Sequence, residues 1–166
     1  MANPQDTRHR LILMRHAKSD WNSGAGPDHA RPLNARGRRD APRVAQALLA
    51  LGWAPVHVHT SDAQRTLETW SLMAAELPEV SIQSTRHLYH GDLDALCREA
   101  PAWPEGTVLA LGHNPGWEEA VSELTGIPTS LTTANAALLE GTGATWAAAL
   151  QGTWRLVDVL RPKSLQ

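Results

Sequence analysis

Residues 11–21 read LILMRHAKSDW, and this stretch decides the fold class. Leu11 to Met14 form a continuous apolar run instead of an alternating one, the pattern of a strand buried on both faces of a parallel sheet. The run stops abruptly at Arg15-His16, which puts a guanidinium and an imidazole at the strand's carboxyl end. Downstream, the same grammar repeats. Short runs rich in Val, Ile and Leu alternate with longer stretches of helical spacing, which is the pattern of an α/β sheet. After a loop rich in Gly, Pro, Asp and Ser from Lys18 to Pro32, Asn34 predicts the N-cap of a helix to about Leu51, closed by Gly52. Pro42 predicts a kink in that helix or a later start. Val56 to Ser61 predicts a second strand, followed by a helix from about Ala63 to Leu77 that ends before Pro78. A third strand is expected near Val80 to Leu88, then a short helix opening at Asp92 or Asp94. Thr107 to Leu111 predicts a further strand. Asn114 suits an N-cap and Pro115 the first position of a helix to about Leu124, stopped by Gly126 and Pro128. Ala136 to Glu140 and Thr153 to Leu160 predict two antiparallel strands around a Gly-containing turn. The fold expected is a three-layer α/β/α sandwich with a mostly parallel central sheet. One domain over residues 11–161 is expected, with 1–10 a flexible arm and 162–166 a short tail.

The 166 residues, 42% apolar and 19% charged, suffice for one core that needs neither disulfides nor a structural metal. Cys97 is the single cysteine, so no internal disulfide and no four-thiolate zinc site can form, and a reducing cytoplasm is the compartment expected. The polar N-terminus has no apolar run of signal-peptide length, and no stretch has the roughly 20 apolar residues of a membrane span. Fifteen Lys and Arg against 17 Asp and Glu argue against a nucleic-acid footprint.

In an open α/β sheet, ligands bind beyond the carboxyl ends of the strands. That edge is predicted to collect Arg15, His16, Ser61, Arg65 one helical turn further, and His113-Asn114. Two imidazoles, two guanidiniums and a helix start form a site for an anion, and phosphate matches it best. At this point LILMRHAKSDW, RPLNARGRRDAPR (31–43), TSDAQRTLET (60–69) and LALGHNPGWEE (109–119) together resemble the histidine phosphatase superfamily, closest to its phosphohistidine phosphatase, SixA-like branch. The resemblance covers about residues 11–125 and implies a phosphoglycerate-mutase-like fold. It implies a nucleophilic His16 that is transiently phosphorylated, with Arg15, Arg65 and His113 holding the phosphoryl oxygens, and neither metal nor cofactor.

One departure from the family pattern shapes the substrate expectation. Many superfamily members carry a glutamate acid after the third strand, whereas this chain reads His87-Leu88-Tyr89-His90-Gly91-Asp92. An alkoxide leaving group needs a proton donor, but an imidazole, with a conjugate-acid pKa of about 6.5, can leave already protonated. The expected substrate is therefore phosphohistidine on a protein or peptide, with inorganic phosphate as product. Asp92 or Tyr89 is the weaker candidate donor. Two alternatives stand beside this: a phosphatase of a small phosphorylated metabolite, with Trp21 and the loop to Arg31 as its selectivity wall, and a non-catalytic module that binds phosphate or phosphohistidine.

Plainer readings accompany the chemical ones. Ser61 and Asn114 can be helix caps, with phosphate contact secondary, and Lys18 can decorate a solvated loop near the phosphate. His57 and His59 share a strand face and, with His87 and His90, could assemble a zinc centre, but buried structural histidines explain them as well. Asp92-Leu93-Asp94 opens a helix, where acids complement the dipole, instead of ending a first strand as a magnesium phosphatase pair would. Cys97 is no Cys-x5-Arg nucleophile, because position 103 is Trp103.

Overall fold

Strand β1 runs from Arg8 to Arg15 and lies in the middle of a six-stranded sheet ordered β3-β2-β4-β1-β5-β6. The structure, a computed structural model, describes residues 7–24 and 26–165. β2 (His57–Ser61), β3 (Ser81–Thr85) and β4 (Thr107–Gly112) pair parallel with one another and with β1, whereas β5 (Ala136–Thr142) is antiparallel to both β1 and β6 (Arg155–Leu160). The α/β class and the mostly parallel sheet are as the periodicity predicts.

Alternation along the central strands divides the core between the two faces of the sheet. Leu11, Leu13, Val108, Ala110 and Leu139 face one cluster, built with Trp103, Trp117, Leu124, Trp146 and Trp154. Ile12, Met14, Leu109, Leu111 and Leu138 face the other, with Val44, Leu48, Trp70 and Met73. The second layer is α1 (Ala35–Ala50) and α2 (Gln64–Ala74), while α3 (Leu93–Glu99), α4 (Gly116–Thr125) and the short α5 (Trp146–Ala149) belong to the first. Asn34 caps α1 as expected, its side chain accepting from Gly37 N–H, and Asp92 caps α3 by accepting from Ala95 N–H.

Several boundaries differ from the expectation. Arg8–Arg10 are not an arm: they extend β1 and pair with Thr142, Gly141 and Glu140 of β5, with the Arg10 guanidinium 3.4 Å from Glu140. Residues 1–6 of the expected arm lie outside the described residues. Pro42 sits inside an unbroken α1, its ring on the half-exposed side. α2 ends at Ala74, before Leu77. Residues 162–164 of the expected tail form a 3-10 turn with Pro162 buried. α5 separates β5 from β6 where a turn was expected, because Trp146 and Ala149 are needed to close the first core cluster.

The Asn114-Pro115 reading is also corrected. This peptide bond is cis, α4 begins at Gly116, and Asn114 does not cap it. Asn114 Nδ2 donates instead to Glu118 Oε1 at 2.9 Å and to the Leu131 carbonyl at 2.7 Å, joining the helix to the 131–135 loop. Gly126 closes α4 in the left-handed conformation, φ 74°, where glycine is favoured. Gly116 is required for another reason: a Cβ there would lie 1.9 Å from the Gly91 carbonyl oxygen, so the α4 start and the 87–92 segment meet backbone to backbone.

Candidate active site

His16, one residue past β1, is only 6% exposed. Its backbone N–H donates to the Gly112 carbonyl of β4 at 3.1 Å, and its own carbonyl accepts from Ala134 N–H at 2.9 Å. These bonds tie the residue to the neighbouring strand end and to the 131–135 loop. On the ring, Nδ1 is 2.7 Å from the Ala17 carbonyl oxygen. A carbonyl can only accept, so Nδ1 carries the proton and Nε2 keeps its lone pair. Arg65 Nε donates to that Nε2 at 3.4 Å. Burial, and then the charges of Arg65, Arg15 and Arg31, pull the imidazole down to about 3, so it is neutral at any physiological pH.

His113 follows β4 and packs against His16 with ring centroids 5.2 Å apart. Its Nε2 is 2.8 Å from Ser61 Oγ, and Ser61 Oγ accepts from Ala63 N–H at 3.2 Å. In the tautomer that turns a donor toward the site, the Ser61 hydroxyl donates to Nε2 and the His113 proton lies on Nδ1. That Nδ1 is buried without a partner, as is Arg15 Nε. Two unmatched donors at one strand edge are what an anion would satisfy. His113 is also held well below the ordinary histidine value, by burial first and then by His16 and Arg65. Arg15 is held from behind, its Nη1 donating to the Leu131 carbonyl at 3.1 Å.

Arg65 sits in the first turn of α2, 5% exposed, with its outer edge anchored by Asp28. Nη1 donates to the Asp28 carbonyl at 2.9 Å and Nη2 to Asp28 Oδ2 at 3.0 Å. The same carboxylate accepts from the Tyr89 hydroxyl and, through Oδ1 at 2.7 Å, from Arg31 Nη2. The Tyr89 bond, then Arg31, holds Asp28 far below the usual carboxylate range. Sequence reasoning missed this residue. Nothing in the composition of the 18–32 loop separates Asp28 from Asp20, since only the folded loop delivers it to Arg65.

The structure thus gathers Arg15, His16, Ser61, Arg65 and His113, with Tyr89 at their rim. Tyr89 packs edge-on to His113 at 5.4 Å, but burial, then its bond to Asp28, raises its hydroxyl pKa. Asp92 Oδ1 is engaged in capping α3, although the residue lines a small cavity of about 120 Å³ together with His113 and His90. Lys18 contributes its carbonyl, which accepts from Asn34 N–H, and its ammonium makes no ion pair among the described residues. Trp21 is 71% exposed and lies under the Arg31 guanidinium at 3.5 Å, lining a cavity of about 460 Å³ that reaches Asp28. Each of the four histidines weighed for zinc has a protein partner. His57 bonds Ser81, His59 accepts from Trp103 Nε1 and lies 3.4 Å from Glu99, the same carboxylate pairs with His87 at 3.0 Å, and His90 packs at a tilt against the Tyr89 ring. Among the described residues no group of three or more His, Cys, Asp or Glu side chains is disposed to hold a metal ion.

A buried pair of neutral imidazoles flanked by guanidiniums, at the carboxyl edge of a parallel sheet, defines an α/β protein built to handle phosphoryl groups. The chain belongs to the histidine phosphatase superfamily (branch 1), whose family model matches residues 11–125, and it is a phosphatase. An uncharacterized chloroplastic protein of Arabidopsis thaliana is 39% identical over 171 residues, covering 93% of this chain and 78% of the relative. Among solved structures, a candidate phosphohistidine phosphatase SixA from Nakamurella multipartitia is 29% identical with a TM-score of 0.80, covering 94% of this chain and 97% of that one. The protein histidine phosphatase SixA in complex with tungstate superposes with a TM-score of 0.79 at 21% identity, over 95% of this chain and 99% of that one, and speaks for the shared fold. No helix among the described residues is long and apolar enough to cross a membrane.

Proposed function

We propose that the protein removes phosphoryl groups from phosphohistidine on a protein or peptide, without a metal, through a phosphorylated His16. The observation that carries this reading is the His16 ring: Nδ1–H is fixed on the Ala17 carbonyl, so Nε2 keeps its lone pair, which accepts only a long 3.4 Å bond from Arg65 Nε that an incoming phosphoryl group would displace. In the first step Nε2 bonds to phosphorus and the P–N bond breaks in a substrate imidazole already protonated on its other nitrogen, which leaves as neutral imidazole. In the second, water attacks phosphorus and the His16 N–P bond breaks. One water proton stays on the released phosphate and the other passes to solvent.

Arg15 and Arg65 offset the charge on the equatorial oxygens, as guanidinium clamps do in phosphoryl transfer. His113 Nδ1–H supplies a further donor, and a bound dianion favours its charged form. Because Tyr89 is held as a donor to Asp28 and Asp92 as a helix cap, neither is well disposed to protonate an alkoxide. That favours a phosphoramidate over an unactivated ester. Cys97, a free thiol, fits a reducing compartment.

The test is the ratio of kcat/KM on a phosphohistidine peptide to that on an unactivated alkyl phosphate, in EDTA. A ratio far above one is expected, whereas comparable values would overturn the substrate assignment. A small phosphorylated metabolite is the second reading, favoured by the Trp21–Arg31 stack over the loop cavity, and it predicts that Trp21→Ala raises KM for such a substrate.

A further inference from the structure

Outside the candidate active site, a cleft of about 390 Å³ between α1, the 131–135 loop and the 161–163 segment carries a one-sided charge. Arg36, Arg39, Arg43, Arg161 and Lys163 line it against the single carboxylate of Asp40, in a chain whose formal charge is −2. Arg36, Arg39 and Arg43 recur at helical spacing, so they share one face of α1 and extend over roughly 10 Å at 1.5 Å per residue. All three are exposed.

Two of the five cations are held in place. Arg36 Nη2 donates to Thr133 Oγ1 at 3.2 Å and its Nε lies 3.8 Å from Asp40. With the fully buried Asn135 amide oriented so that its donors and acceptors are matched, Arg161 Nη1 donates to its oxygen. Among the described residues Arg39, Arg43 and Lys163 make no ion pair. The loop that fixes this cleft also carries the catalytic backbone: Ala134 N–H donates to the His16 and Arg15 carbonyls, and the Leu131 carbonyl holds the Arg15 side chain. Cleft and catalytic cluster are therefore two sides of one loop.

We propose that this cleft docks an acidic polypeptide segment of the protein whose phosphohistidine reaches His16. The inference rests on the proposed function and adds how the macromolecular substrate is recognised. A row of cations this long outreaches one phosphate and suits carboxylates strung along a chain. A nucleic acid or an anionic membrane would meet the acidic remainder of the surface, since the cleft holds five of the 15 basic residues but one of the 17 acidic ones. Complementary charge of this kind acts chiefly on encounter and on KM, and salt screens it.

The test uses a fluorescently labelled Glu-rich peptide, its Gln-rich counterpart and a DNA duplex, with binding read by anisotropy at about 50 mM salt. Wild type should bind the Glu-rich peptide at least about tenfold more tightly than the others, and the preference should vanish near 0.5 M salt. Arg39→Glu/Arg43→Glu, which touches no catalytic side chain, should weaken that binding about tenfold or more, with Arg39→Gln/Arg43→Gln intermediate. In turnover, kcat/KM on a phosphohistidine peptide with flanking Glu should exceed that with flanking Gln in wild type but not in the charge-reversed protein, and turnover of free phosphohistidine should match in the two proteins. Equal binding by wild type and both variants, or DNA bound as tightly as the acidic peptide, would overturn the docking site. Charge-dependent peptide binding without turnover of any phosphohistidine would leave the cleft standing and overturn the proposed function instead.

Discussion

Replacing His16 by Gln should flatten the acid side of the stability curve by an amount fixed by the burial of the ring. In the folded protein the imidazole titrates near 3, while in the unfolded chain it returns to about 6.5. Below pH 6.5 the unfolded chain takes up a proton at this site that the folded protein refuses, so acid favours unfolding. The stability contributed by the neutral ring is intact above the unfolded value and is lost as the pH falls from about 6.5 towards 3, at about 1.4 kcal/mol per pH unit. Between pH 8 and pH 5 the loss from His16 alone comes to about 2 kcal/mol, a figure that holds for any folded pKa below about 4. His113, His57 and His59 are also lowered by burial and act in the same direction, but they are present in both proteins. Urea denaturation of wild type and His16→Gln at both pH values, in phosphate-free buffer, isolates the His16 share. Wild type should lose about 2 kcal/mol more than the variant across that interval. A difference below about 0.5 kcal/mol would mean that the ring titrates near its unfolded value in the folded state, and the depression of His16 by burial would fall with it.

Further expectations follow from individual contacts. Arg65→Ala should weaken phosphate binding and turnover together, since the side chain serves ground state and transition state alike, and titration of phosphate alongside steady-state kinetics separates the two. Tyr89→Phe removes the hydroxyl bond to Asp28 but no proton donor, so kcat on phosphohistidine should drop by less than about tenfold; a loss near 100-fold would identify Tyr89 as the acid. Gly116→Ala drives a Cβ into the Gly91 carbonyl and should cost about 1–3 kcal/mol in a urea melt.

Much of this was legible along the chain because the deciding signals are local. Continuous apolar runs at residues 11–14 and 108–111 mark strands buried on both faces, and Asn34 and Asp92 announce their helices by capping chemistry that needs no tertiary information. The candidate site was legible for a related reason. Arg15, His16 and His113 end parallel strands and Arg65 starts the next helix, so topology alone collects them. What escaped depends on partners far apart in sequence. Arg8 and Arg10 look like a polar arm until β5 pairs with them and brings Glu140. Asn114 looks like a cap until Glu118 and Leu131 compete for its amide. Asp28 is anonymous in a loop of similar residues until the loop folds back over Arg65.

The most direct measurement is mass spectrometry of the EDTA-treated protein quenched in base during turnover of a phosphohistidine peptide. The expected result is a base-stable, acid-labile phosphate on His16, absent in His16→Ala, which should retain phosphate affinity but lose turnover. Turnover without a label on His16, or more than a few per cent of activity in His16→Ala, would contradict the covalent mechanism.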